Sequence, residues 1–281
     1  ITVAAGKTET ISQSVDVANP KLWSVDSPNL YWVRTEIIQN GKVVDRTDSR
    51  FGIRYIATNP NSGFYLNGVH TKLNGVCEHS DLGSLGMETY QAAVDRRIRT
   101  LKKYGVNAIR TSHNPVSPEF IEACDRLGML VFEEAFDQWL YSKNSDDYHN
   151  YFNKAADGKT VVFDKAGNDN TNNDTSYIEV KREDLQSNAE RDIKAMVDRD
   201  KNAPCIFAWS TGNEIYDARY KHGENTLDML TGWIKEIDTT RPVAACPPTW
   251  DNYWANNAQQ EKHLAKAEMS GFNYATGQYD G

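Results

Sequence analysis

Apolar and polar positions alternate in short runs from residue 1 to about 57. They predict strands at Ile11 to Val17, Tyr31 to Ile38, Lys42 to Asp45 and Phe51 to Ile56. Alternation with a period of two marks a half-buried strand, and Asn40-Gly41 between two such runs marks a tight hairpin. No helical spacing interrupts this stretch. It is too short for a complete sandwich of about 100 residues, so it reads as the C-terminal part of an immunoglobulin-like domain spanning 1–57.

After Asn59-Pro60-Asn61-Ser62-Gly63 the pattern changes to strand and helix in alternation, the signature of βαβ units. A small hairpin from Phe64 to Leu73, turning at Asn67-Gly68, leads into a first barrel strand near Leu73 to Cys77. Tyr90, Val94, Ile98 and Leu101 recur at helical spacing, and Ala108 to Arg110 makes a second strand. The next helix is punctuated at both ends. Ser117 suits the N-cap, Pro118 the first helical position and Gly128 the stop, with Phe120, Cys124 and Leu127 on the buried face. Met129 to Phe132 is the third strand. The Asn- and Asp-rich stretch from about 142 to 177 has the composition of a long loop, either an excursion over a barrel rim or a mobile surface segment. A helix at about 182–201 places Leu185, Ala189, Ile193 and Val197 on one face. Pro204 cannot sit inside it and precedes the fourth strand, Cys205 onward. Leu227, Leu230, Ile234 and Ile237 mark a helix at about 225–238; Pro242 to Cys246 and Met269 to Phe272 are the fifth and sixth strands.

This predicts an α/β protein: an incomplete (β/α)8 TIM barrel at 58–281, preceded by part of an immunoglobulin-like sandwich. Six strands are two short of closure, and roughly 180 residues outside the insertion compare with about 250 for a full barrel. The chain is therefore expected to stop before a seventh strand, and to be an interior piece of a longer protein.

The 281 residues carry a formal net charge of −8, which argues against nucleic acid as a partner, because that affinity rests on Lys and Arg contacts to phosphates. No apolar run approaches the ~20 residues of a membrane span. Cys77, Cys124, Cys205 and Cys246 are far apart and form no CxxC pair, which suits small buried hydrophobes rather than a zinc knuckle or a disulfide scaffold.

Chemistry gathers at the C-terminal ends of the strands. His79 and Asp81 follow the first, Arg110 and His113 the second, Glu133, Glu134 and Asp137 the third, Asn213 and Glu214 the fourth, and Asn273 and Tyr274 the sixth. The same placement after five of six strands would aim these groups into one rim, where barrels of this type keep their chemistry. Each has a plainer alternative: a capping Glu214, hydrogen-bonded structural histidines, an Arg110 that merely pairs with Glu134. Glu133 and Glu134 are adjacent and must point to opposite faces, so at most one serves the rim, and Glu134 is chosen. His79, Asp81, His113 and Glu214 have no HExxH or other tight spacing to recommend a metal. Trp139, Trp209, Trp250, Trp254 and Tyr274 lie in or near the predicted rim, and flat rings with carboxylates suit a sugar, although a core role is the default for a tryptophan in a strand such as Trp209.

Four segments in order carry a resemblance: Leu73-Asn74-Gly75-Val76-Cys77-Glu78-His79-Ser80-Asp81, Asn107-Ala108-Ile109-Arg110-Thr111-Ser112-His113-Asn114-Pro115, Glu133-Glu134-Ala135-Phe136-Asp137 and Gly212-Asn213-Glu214. With Leu22 to Tyr31 and Phe51-Gly52-Ile53-Arg54 before them, the chain resembles the β-galactosidase and β-glucuronidase family of glycoside hydrolases, family two, over essentially all its length. The resemblance implies retaining hydrolysis of β-linked sugars. Glu214 would be the general acid/base, Asn213 the contact to the sugar 2-hydroxyl, and His79, Arg110 and His113 the lining of the glycone subsite. Asp81, Glu134 and Tyr274 are further candidates for substrate binding, Tyr274 matching the tyrosine expected near the nucleophile. Ser80 departs from a second histidine common in bacterial relatives. The family's nucleophile, a Glu after the seventh strand, would lie beyond Gly281, so the chain alone is expected to be inactive and to need the rest of its parent's barrel as partner. No cofactor or metal is implied. β-Galactosides are the preferred substrate, with β-glucuronides or β-mannosides as alternatives. A non-catalytic carbohydrate-binding or scaffold protein is the competing class. Family habit suggests a periplasmic or secreted bacterial home.

Overall fold

The computed structural model describes residues 2–139, 161–164, 177–180, 188–219, 221–248 and 258–274. The expected insertion, and the positions of Leu185, Trp250 and Trp254, fall largely or wholly outside them. The described part of the insertion is an antiparallel pair, β9 (Val161–Asp164) with β10 (Tyr177–Val180).

The N-terminal module is a single hairpin, β1 (Tyr31–Gln39) and β2 (Lys42–Phe51), turning at Asn40-Gly41 with both residues at positive φ. Three expectations change here. The strand at Ile11 to Val17 is absent: Ile11, Val15 and Val17 are exposed and no described strand pairs with them. β2 runs six residues past Asp45. The strand over Phe51 to Ile56 is interrupted from Gly52 to Tyr55, because this stretch packs on the barrel instead. Arg54 Nε donates to Pro204 O at 2.5 Å and its Nη2 donates to Ile206 O, while a Cβ at Gly52 would lie 2.6 Å from Pro204. Burial, and then neighbouring Arg241, lower the Arg54 pKa to about 10.

A short antiparallel sheet, β3 (Ile56–Asn59), β4 (Gly63–Leu66) and β5 (Val69–His70), follows. Its Phe64 ring stands 5.3 Å from Phe207 in the core.

The main sheet has six parallel strands in chain order: β6 (Gly75–His79), β7 (Ala108–Ser112), β8 (Leu130–Glu134), β11 (Ile206–Asn213), β12 (Val243–Cys246) and β13 (Met269–Ser270). β7, β8, β11 and β12 read as nearly continuous buried runs, as strands covered on both faces must. The helices are α1 (Gln91–Lys103), α2 (Pro118–Leu127), α3 (Asn188–Asp200), α4 (Lys221–Lys235) and α5 (Ala258–Lys266), the last not anticipated from sequence. α2 has the expected punctuation. Ser117 Oγ accepts the Phe120 N–H, and Gly128 closes the helix at φ 74°, where an added Cβ would strike Val25 O.

The floor of the barrel is built with residues from before it. Trp23 is fully buried and its indole donates to Asp125 O at 2.8 Å, while Lys102 Nζ donates to Val25 O, Leu127 O and Gly128 O. Arg50 pairs with the buried Asp125 carboxylate at 3.0 Å.

Candidate active site

The rim ends of β7, β8 and β11 meet around Glu134. The β8–β11 register sets Glu134 beside Ser210, and the pleat turns Glu133 the other way. Glu134 is fully buried. Its Oε2 accepts from Arg110 Nε at 3.0 Å, Arg110 Nη2 at 2.7 Å and Ser210 Oγ at 2.7 Å, and its Oε1 accepts from His113 Nδ1 at 2.6 Å. The Glu134 N–H donates to Thr111 Oγ1 at 2.8 Å. An ionised carboxylate only accepts, so His113 carries its proton on Nδ1 and presents Nε2 elsewhere. Both oxygens of Glu134 are thus engaged by the protein. These bonds make it an anchor for Arg110 and His113.

Burial works against the Arg110 cation, yet the adjacent Glu134 outweighs it and holds the guanidinium pKa above its ordinary value. Arg110 also reaches Asn213 Oδ1 at 2.9 Å and Asn273 Oδ1 at 3.3 Å. Asn213, nearly fully buried at the end of β11, donates from Nδ2 to Asp137 Oδ1 at 3.0 Å and from its backbone N–H to Phe136 O at 3.0 Å.

Glu214 follows β11 directly. It is half-buried, at φ 45°, a left-handed conformation that a non-glycine residue adopts at a cost of about 1–3 kcal/mol and that recurs at functional sites. Tyr274, exposed after β13, also has positive φ (59°). The Glu214 charge and a hydrogen bond to the Glu214 side chain raise the Tyr274 pKa. Gly212 is required just before the pair: a Cβ there would lie 2.6 Å from Ile215 and 2.9 Å from the Trp139 indole nitrogen, which donates to Thr211 O.

His79 stands edge-on to His113, ring centroids 5.3 Å apart. Asp81 has other company. It accepts from Gly83 N–H at 3.3 Å and lies 4.0 Å from Arg97 on α1, which also pairs with Glu78 at 2.9 Å. The structure therefore joins Arg110, His113, Glu134 and Asn213 by direct bonds, sets His79 beside them and Tyr274 against Glu214, and gives Asp81 to Arg97.

Glu133 faces α3, 3.3 Å from Arg199. Burial, reinforced by Asp200, pushes its pKa well up. Trp209 takes the core role that is the default for a tryptophan in a strand, fully buried and donating to Asp238 Oδ2 at 2.8 Å, and Trp139, placed by sequence in or near the rim, is fully buried as well. Ser210 and Thr111 were not foreseen as partners of Glu134. The available signal was a hydroxyl inside an otherwise apolar strand, which needs a buried acceptor. Among the described residues no three His, Cys, Asp or Glu side chains are grouped to hold a metal ion, and no helix is long and apolar enough to cross a membrane.

Residues 58–262 match the family model described as glycosyl hydrolases family 2, TIM barrel domain, and residues 1–54 match the model described as glycosyl hydrolases family 2. Beta-galactosidase BoGH2A of Bacteroides ovatus is 32% identical over 96% of this chain and 31% of its own length. A Formosa agariphila protein named for beta-glucuronidase is 37% identical over 82% of this chain and 18% of its own. The crystal structure of a glycosyl hydrolase family 2 member from Bacteroides cellulosilyticus superposes with a TM-score of 0.75 at 37% identity, covering 93% of this chain and 29% of that one. The chain thus spans about a third or less of the length of these relatives. With its rim pair, its six parallel strands and more than half its length matched, the chain belongs to glycoside hydrolase family 2, as the TIM-barrel domain with the immunoglobulin-like region before it.

Proposed function

We propose that these residues supply the acid/base half of a retaining β-glycosidase site, with β-galactosides as substrates and Glu214 as the proton donor. The observation that carries this reading is the placement of Glu214 at the rim end of β11, hydrogen-bonded to Tyr274 and next to the clamped Asn213. In the first step Glu214 protonates the leaving oxygen while a carboxylate on the other ring face attacks the anomeric carbon. In the second, Glu214 takes a proton from the water that releases the sugar. The two carboxyl groups of such a pair stand about 5–5.5 Å apart. Glu134 is unsuited to be the second, since both its oxygens are committed to Arg110, His113 and Ser210. The nucleophile in this reading is a carboxylate other than Glu134.

Asn213 then contacts the sugar 2-hydroxyl, and His79, Arg110 and His113 line the glycone subsite. The charge of Arg110 is already balanced by Glu134, which favours a neutral glycone over a uronate.

The test is Glu214→Gln in the enzyme that carries these residues in its full barrel. kcat/KM should fall by orders of magnitude for alkyl or sugar leaving groups, which need a proton, and far less for activated aryl leaving groups, which do not. Equal losses on both would rule out the acid role.

A further inference from the structure

We propose that Asp137 is a positioning residue that fixes the Asn213 side-chain amide, so that Asn213 meets the sugar as a hydrogen-bond donor. The inference rests on the reading of Asn213 as the contact to the 2-hydroxyl, and adds the device that makes this contact selective. An asparagine amide is ambivalent: its two ends differ in hydrogen-bonding sense but hardly in shape, so an unconstrained Asn can offer either.

Here both ends are assigned by unambiguous partners. Arg110 has only donors, and its Nη2 holds Oδ1 at 2.9 Å; the Asp137 carboxylate only accepts, and holds Nδ2 at 3.0 Å. The backbone is tied at the same place, by the Asn213 N–H on Phe136 O at 3.0 Å, so the β8 loop carrying Asp137 is in register with the end of β11. Arg110 is itself locked by Glu134. One Nδ2 hydrogen is used by Asp137, and among the described residues no second acceptor holds the other, which is the one offered to a ligand.

Asn213 is nearly fully buried whereas Asp137 is exposed. The solvent-facing end of the clamp is therefore the one that can be altered without opening the core. A pure donor suits a hydroxyl oxygen that becomes a better acceptor as its proton is drawn away. Bonds of this kind to the 2-hydroxyl strengthen in the oxocarbenium-like transition state.

Two measurements test the proposal. In the 281-residue chain, the Asn213 side-chain NH2 signals, assigned by their loss in Asn213→Asp, should be well separated in the ¹H–¹⁵N spectrum because one proton faces a carboxylate. Asp137→Ala should draw them together. Unchanged signals would overturn the proposal whether or not the protein hydrolyses sugars. In the active enzyme, Asp137→Ala should lower kcat/KM on 2-hydroxy aryl glycosides about 10- to 100-fold, as expected for one charge-assisted hydrogen bond, and leave 2-deoxy substrates nearly unchanged. Asp137→Asn, which keeps a carbonyl acceptor, should recover most of the loss, and Asp137→Ala should add nothing in an Asn213→Ala background. Equal loss on both substrates, or additive loss in that background, would sink it. A failed leaving-group test for Glu214 would remove the acid assignment and leave the spectroscopic result standing, so the two readings fail separately.

Discussion

Replacing Glu134 by glutamine removes one charge and swaps one acceptor for a donor, and the structure says what each change costs. The remaining oxygen can keep Arg110 and Ser210, which approach Oε2 at 2.7–3.0 Å. The new NH2 then faces the His113 Nδ1 proton, donor against donor, at a position now 2.6 Å from an acceptor. His113 must shift its proton to Nε2, which reverses what the ring offers to a ligand. Meanwhile Arg110, whose side chain is only 17% exposed, loses its counter-ion. Removing one partner of a buried ion pair costs about 3–5 kcal/mol. The residual exposure of Arg110 and its bonds to Asn213 and Asn273 argue for the lower end, ~3 kcal/mol. Urea unfolding followed by tryptophan fluorescence should show the midpoint falling by about 1 M or more, for a slope of 1–3 kcal/mol/M. In a double-mutant cycle with Arg110→Met, the two losses should be strongly non-additive, because the second substitution removes the orphaned cation. A loss below ~1 kcal/mol, or additive effects, would refute the view of Glu134 as the electrostatic anchor of the site.

Two further outcomes concern the scaffold. Trp23→Ala should cost about 3–5 kcal/mol in the same unfolding assay, since a fully buried indole and its bond to Asp125 O are both lost, with Trp23→Phe recovering much of it; a loss within ~0.5 kcal/mol would show that the N-terminal segment does not hold the barrel floor. His263, buried in α5 with its ring 5.7 Å from Trp139, has its pKa lowered by burial to about 4. The unfolded chain therefore takes up the proton first, so the stability this group contributes is present above about pH 6.5 and is lost as pH falls from there toward 4, up to roughly 3 kcal/mol. His263→Gln should flatten that part of the stability–pH curve, and an unchanged curve would contradict it.

Local chemistry with a unique structural solution was legible in the sequence. Ser117, Pro118 and Gly128 admit little but a capped helix, Asn40-Gly41 little but a tight turn, and apolar runs ending in polar residues gave the order of the parallel strands. What failed depended on partners the local pattern does not name. Ile11 to Val17 alternates well, but alternation predicts a strand only if another strand is there to bond it. Phe51 to Ile56 looked continuous because nothing local reveals that Arg54 reaches carbonyls some 150 positions away. The polar residues of the site were visible as a set, since they share strand ends. Their division of labour was not. That Glu134 holds Arg110, His113 and Ser210, that Asp81 pairs with Arg97, and that Asp137 bonds Asn213 are facts of side-chain geometry.

The floor contacts bear on how such proteins can be recombined. Family models divide the chain between residues 54 and 58, yet Trp23, Arg50 and Arg54 are wedged among barrel groups: Asp125, Pro204 and Ile206. A crossover that exchanged the N-terminal module at that joint would pull a stopper from the vessel and leave backbone carbonyls and the Asp125 carboxylate facing an ill-fitting replacement. Shuffling among relatives is then productive only when the incoming module brings its own tryptophan and arginines in the same places. The heritable unit is longer than the barrel, and it reaches back past the hairpin at least as far as Trp23.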